Sequence, residues 1–247
     1  MMKKIIAVVV MALFCGSTAW ALEISAGPSY QDLDISGNAQ SAGTRLDLED
    51  DLGLGDDKAV GVNVRLDGKK HHFSFDYASF EFSGSKILTR SIDFQNKTYS
   101  ISVAVETKLE YNLFEAQYQY DLLHLGDDEL GVSLAPLLKL TVYDASLNLQ
   151  GGGNNETYSE ILPLPSAGVA AELDCTKYLS LLAQINGIGY AGDTYIEYRA
   201  VARLKPHKFV NIDIGYKGIK VDFSHSDDLL DLDINGLLLQ GSFVYKF

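Results

Sequence analysis

The stretch 237–247, Leu-Leu-Leu-Gln-Gly-Ser-Phe-Val-Tyr-Lys-Phe, places Leu237, Leu239, Phe243, Tyr245 and Phe247 on one alternating register, with Gly241 between them. The other register holds Leu238, Gln240, Ser242, Val244 and Lys246. Side chains of a strand alternate between two faces, so this segment has one apolar and one mostly polar face. The same alternation runs upstream. Val60, Val62, Val64 and Leu66 alternate with Gly61, Asn63, Arg65 and Asp67, and Phe73, Phe75 and Tyr77 with His72, Ser74 and Asp76. The phase then slips to Phe80 and Phe82, which predicts a β-bulge. Tyr99 to Leu113 alternates cleanly, and the phase flips at Phe114 to Ala116, Tyr118, Tyr120 and Leu122. No Gly or Pro intervenes, which predicts one long bulged strand projecting beyond a membrane.

The last ten residues resemble the C-terminal strand of bacterial outer-membrane barrels, in which a terminal Phe and alternate aromatics are recognised by the barrel-assembly machinery. The resemblance implies that Phe243, Tyr245 and Phe247 form the assembly signal. It departs at Ser242, because the family's glycine falls one position earlier here, at Gly241.

The other end predicts export. Lys3 and Lys4 precede the apolar run 5–14, and Ala19-Trp20-Ala21 supplies a small-x-small cleavage pattern. The run is shorter than the roughly 20 residues a membrane-spanning helix needs. The expected division is a cleaved signal peptide over 1–21 and a barrel domain over 22–247. A lipoprotein reading would need Cys15, but Phe14 before it is too bulky for that processing.

Composition agrees with this address. Hydrophobic residues make up 47% of the 247 without a long apolar run after the signal, which excludes a helical membrane protein. The 14 Tyr and 11 Phe suit interface girdles and lipid-facing strands. With Cys15 removed, Cys175 stands alone, so neither an intrachain disulfide nor a cysteine metal site can form. The formal net charge is −13, and about −15 without Lys3 and Lys4. That balance excludes nucleic acid as a partner, because phosphates need basic surface.

Counting alternating segments gives an all-β, single transmembrane antiparallel up-and-down barrel of about ten strands, with eight to twelve as the range. Short turns are expected near 68–70, 123–128, 175–177 and 205–208, and longer loops at 37–57, 83–97, 151–157 and 224–231. Pro163 and Pro165 predict an irregular rim, and Gly218 a bulge. The polar register carries Arg65, Glu172, Asp174, Glu197, Arg199, Arg203, Asp213 and Lys217. Turned inward, these charges can pair in a narrow lumen. A soluble lipocalin-like barrel, the rival, would turn the apolar face inward.

Ten strands leave room for side chains, water and a thin path, not a general diffusion pore. The leading expectation is therefore a non-enzymatic barrel: a structural or binding scaffold, or a narrow channel, with acidic surface loops. Its most distinctive segment is 47–57, Asp-Leu-Glu-Asp-Asp-Leu-Gly-Leu-Gly-Asp-Asp. This resembles an uncharacterised family of outer-membrane barrels with an acidic Asp-Leu-Gly-Leu segment after the first strand, which implies fold and location only. Asp47, Glu49, Asp50, Asp51, Asp56 and Asp57 offer hard oxygen ligands for Ca²⁺ or Mg²⁺, or a cation bridge to lipopolysaccharide phosphates, without the regular spacing of an EF-hand.

Two alternatives stand beside it. A lipid-modifying or proteolytic hydrolase would draw on Ser224, His225 and Asp227, but adjacent strand residues face opposite ways. The His-x-Ser-Asn pattern of lipid A deacylase barrels fails at its nucleophile here. An uptake channel for small hydrophobic compounds would need an apolar inner path and a lateral opening, for which Pro163, Pro165, Gly187 and Gly189 can interrupt strand pairing. His71, His72, His124 and His207 are too scattered in sequence to suggest a metal cluster.

Overall fold

The computed structural model describes residues 22–40, 43–95, 97–126, 130–190, 192–225 and 228–247. The signal segment assigned to 1–21 lies outside them. Ten long strands form one antiparallel ring: β1 (Glu23–Gln40), β2 (Asp56–Asp67), β3 (His71–Ile87), β4 (Ala104–Tyr120), β5 (Gly131–Gly151), β6 (Asn154–Thr176), β7 (Leu179–Tyr190), β8 (Asp193–His207), β9 (Val210–His225) and β10 (Asp228–Lys246). Each pairs with its sequence neighbours, and β10 closes on β1 from Glu23↔Lys246 to Gln40↔Leu229. The chain is thus an up-and-down barrel with both described ends at one rim, the near rim. No helix among the described residues is long and apolar enough to cross a membrane. The crossing is made by strands.

The near rim carries tight turns at 68–70, 177–178 and 208–209, at or beside the expected positions; over the expected turn 123–128, Leu123–Gly126 is instead a short strand paired with the start of β5, and residues 127–129 lie outside the described ones. The far rim differs from expectation. The expected loops at 151–157 and 224–231 are largely strand. β5 and β6 meet through Gly152 and Gly153, whose φ values of 58° and 86° suit the two-residue turn that matches strand twist. Two real loops remain. One, after β1, adds the short strand Leu46–Asp47. The other, between β3 and β4, holds the hairpin Ile92–Phe94/Lys97–Tyr99. Tyr99 therefore belongs to that hairpin and not to β4.

The bulges expected near 78–80, 114 and 218 are absent. Pairing runs without a register shift through Tyr77↔Phe114, Ala78↔Leu113 and Phe80↔Tyr111, and through Gly218 to both of its neighbours. One set of positions faces the lumen along the whole of each strand. What changes is the medium on either side. In the near part, Val60, Phe75, Tyr77, Phe114 and Leu140 form an exposed apolar belt, while Ser74, Asp76, Glu115 and Gln117 face inward. In the far part, Ala78, Phe80, Phe82, Leu113 and Tyr111 are buried inside, while Ser79, Glu81, Ser83 and Glu110 are exposed outside.

The changeover is level across strands. Outward Ser79, Asn112 and Asp144 are paired neighbours in one polar row, and Tyr77, Phe114, Val142 and Pro163 form the apolar row beneath it. A belt of this kind matches a bilayer outside and a polar interior, and the far part is a water-bathed extension with its own hydrophobic core.

Pro163 and Pro165 do not break β6. They pair with Val142 and Leu140 inside an unbroken β5–β6 ladder.

Candidate functional site

The interior divides at the level of the changeover. Below it is a polar lumen with a cavity of about 110 Å³. Arg203 grips Asp213 with two hydrogen bonds, 2.8 and 2.7 Å. Arg65 Nε donates to Asp67 at 2.6 Å, and Asp67 also meets His72 Nδ1 at 2.6 Å. Arg199 donates to Gln240 at 2.5 Å, and Glu172 lines the same cavity.

At the dividing level four buried charges alternate. Lys139 Nζ lies 2.6 Å from both Glu115 and Glu197, and Lys217 Nζ lies 2.8 Å from Glu115 and 3.5 Å from Glu197. None of the four side chains is more than 8% exposed. Tyr195 donates a further hydrogen bond to Glu197 at 2.9 Å, and its hydroxyl lies 3.3 Å from that of Tyr143. Ions this far from water persist only when each faces opposite partners at contact distance. The cluster spans the lumen from β4 and β5 to β8 and β9, and forms a floor.

Above that floor is an apolar chamber of about 450 Å³. Leu162 and Leu164 of β6 line one side; Ile219, Val221 and Phe223 of β9, and Leu230, Leu232 and Ile234 of β10, line the other. Its roof is the loop after β1. Leu46, Leu48, Leu52 and Leu54 all turn down and are buried. The acidic residues between them hold the loop's shape. Asp47 accepts hydrogen bonds from the N–H groups of Glu49 and Asp50, at 3.0 and 2.7 Å, as a cap does at the start of a helical turn. Asp51 accepts from the Asp47 N–H at 3.0 Å and pairs with Arg90, which also donates to the Arg45 carbonyl at 2.6 Å. The hydrogen bond from Arg90 lowers the Asp51 carboxyl below its ordinary value; burial, the next-largest influence, works against it, and the Asp47 N–H and the Arg90 charge add to the lowering.

Arg65, Glu172, Glu197, Arg199, Arg203, Asp213 and Lys217 all face the lumen, and Glu197 and Lys217 join the four-charge floor. Their partners Glu115 and Lys139 were not singled out, because the pairing joins strands distant in sequence. The six acidic loop residues do not converge: among the described residues no group of three or more His, Cys, Asp or Glu is placed to hold a metal. Ser224 stands at the far end of β9, its N–H bonded to Asp193 at 3.0 Å. Asp227 lies outside the described residues, as does the side chain of His225. His71, His72, His124 and His207 all lie at the near rim, away from the chamber. Phe243, Tyr245 and Phe247 are exposed on the outer face near that rim.

No protein-family model matches the chain, and no curated relative matches it. Solved structures do. The outer membrane protease OmpT of Escherichia coli is similar with a TM-score of 0.56 at 10% identity, over 94% of this chain and 99% of that one. Ail, the attachment invasion locus protein of Yersinia pestis, gives 0.41 at 12% identity, over 92% and 100%. Neisserial surface protein A gives 0.36 at 10% identity, over 90% and 96%. The likeness to OmpT is one of fold. With the ten-strand ring and its apolar belt, it makes this chain a β-barrel of the outer-membrane type.

Proposed function

We propose that this chain is a non-enzymatic outer-membrane barrel that binds a small apolar compound in its far chamber. The observation that carries the reading is the chamber itself: about 450 Å³, walled mostly by leucine, isoleucine, valine and aromatic side chains with Gln40, Thr44, Asp93 and Glu160 among them, and floored by paired charges. Ligand pockets fall in this size range and are mostly apolar. The floor argues against a continuous pore. Residues 1–21 direct export and are cleaved. Phe243, Tyr245 and Phe247 engage the barrel-assembly machinery. The belt meets outer-membrane lipid, and the far rim faces outward among lipopolysaccharide.

Trp20 is the chain's single tryptophan and falls in the proposed signal, so a tryptophan introduced into the barrel reports on its own surroundings. Leu232→Trp puts one in the chamber wall, and Leu239→Trp puts one on the belt. Titrating the reconstituted protein with 1-bromooctane, a heavy-atom quencher, should quench the first saturably and the second only in proportion to the bromide in the bilayer. Parallel, unsaturable quenching of both would rule out a binding chamber.

A further inference from the structure

The chamber is roofed and floored, but its wall is incomplete on one side. β6 pairs with β5 from Asn154 to Asp174, yet with β7 only from Ala167 to Thr176. The β7–β8 hairpin turns back at once, with Tyr190 opposite Asp193. Over 159–166 one hydrogen-bonding edge of β6 therefore has no strand upon it among the described residues.

The two prolines explain how that edge reaches down into the belt. In an antiparallel ladder each residue turns its N–H to one neighbour, and residues two apart turn it to the same neighbour. Pro163 and Pro165 sit in an unbroken ladder with β5, to which a proline nitrogen cannot donate. Their nitrogens face the vacant edge. Pro163 belongs to the top apolar row of the belt, and Pro165 to the row beneath it, beside Leu140. An unpaired N–H or C=O in hydrocarbon costs several kcal/mol, roughly; at these two positions the N–H half of that cost is absent, while the carbonyls of both prolines face the notch. The notch thus dips into the outer-leaflet level of the belt without exposing a donor there.

Its lining is mostly apolar from outside to inside, with Glu160 at its upper end. Ile161 and Ile188 are exposed beside it, and Leu162 and Leu164 pass from the notch into the chamber wall. Ile188 lies on the same face of β7 as buried Asn186, one step beyond the last β6–β7 pair, and forms the sill. We propose that ligands exchange sideways, between the chamber and the outer leaflet, over Ile188 and along the unpaired edge of β6. This inference rests on the binding reading above. It narrows the ligand to apolar or single-chain amphipathic molecules dissolved in the membrane.

A route changes rates and leaves equilibrium affinity alone, which separates the two claims. In proteoliposomes carrying the Leu232→Trp reporter, stopped-flow quenching by 1-bromooctane gives association and release. Ile188→Arg sets a charge on the sill, and should slow both rates about tenfold while leaving Kd within about twofold. Leu164→Cys with Tyr190→Cys, in a Cys175→Ser background, joins positions that the register would bring opposite each other if the ladder continued. Its oxidised form should exchange slowly, and reductant should restore the rate. Supply matters too: bromide already in the same bilayer should reach the reporter faster than bromide added from water. Binding with unchanged rates in both variants, or rates set by the aqueous concentration, would overturn the lateral route and leave the chamber standing. No saturable quenching in the parent protein would remove the chamber reading itself.

Discussion

Tyr77 and Phe80 lie three residues apart on β3 and face opposite sides of an unbroken wall: Tyr77 is 36% exposed on the belt, and Phe80 is 1% exposed inside the barrel. Phe80 stacks on Tyr111 with ring centroids 4.6 Å apart. The wall is thus turned inside out along its length, because lipid bathes one stretch of its outer surface and water the other. Phe80→Ala should destabilise the barrel by about 3–5 kcal/mol, as truncation of a core aromatic does. Its water-facing neighbour tolerates change: Glu81→Ala should stay within about 0.5 kcal/mol. Urea unfolding of the vesicle-inserted protein, followed by the gel shift between folded and boiled forms, reads both. Equal effects at the two positions would refute an apolar far core.

The floor of paired charges is exacting in a different way. Glu197 faces Lys139 at 2.6 Å, Lys217 at 3.5 Å and the Tyr195 hydroxyl at 2.9 Å. Glu197→Ala leaves two lysines with one carboxylate, and should cost about 3–5 kcal/mol, the range for breaking one side of a buried pair. Replacing Glu115 and Lys139 together by alanine removes one charge of each sign and leaves Lys217 with Glu197. That double variant should be milder than either single one. In planar bilayers it should also open small conductance steps that the parent protein lacks. Steps of the same size in the parent would show that the floor does not close the lumen.

The roof should respond to acid. Asp51 is held below the ordinary carboxylate range in the fold, chiefly by its hydrogen bond from Arg90. A group depressed in the folded state stabilises it above the unfolded value, about 3.9 for Asp, and that contribution fades as pH falls through the lower folded value. Asp51→Asn removes the charge at every pH. Proteolysis of the 46–54 loop should therefore be slow at neutral pH, and should speed up below about pH 4 in the parent. In the Asn variant it should be faster at neutral pH and nearly independent of pH between the two. A parent loop that keeps full protection at pH 3 would contradict the role given to this pair.

The sequence makes the belt legible because lipid imposes a strict period of two on every strand that crosses it. Val60–Leu66, Phe73–Tyr77 and 237–247 fall on β2, β3 and β10, and the turn expected at 68–70 joins the first two. The far part was misread because a bulge and an inversion leave the same trace in the letters. Tyr77 followed by Phe80 fits either, and only the pairing Ala78↔Leu113 decides between them. Several expected loops proved to be strand for the same reason: once water lies outside, outward Ser83, Ser85, Asn155, Thr157 and Asp231 make a strand look like a surface loop.

The chamber was hidden in two ways. In 47–57 the carboxylates dominate the string, yet they cap a turn, and Leu48, Leu52 and Leu54 carry its role as a roof. The floor pairs Lys217 with Glu115 across 102 positions of sequence, a match that no local pattern encodes. Pro163 and Pro165 were the better signal. A strand with two alternate prolines announces an edge, although not which edge it is.

The most direct test of the chamber is the anomalous difference density of bromine in crystals of the refolded barrel soaked with 1-bromooctane. The account predicts a peak enclosed by Leu162, Leu164, Ile219, Val221 and Leu232, lost when Ile219→Trp fills the space. Bromine found only along the outer belt, with the chamber holding ordered water instead, would contradict it.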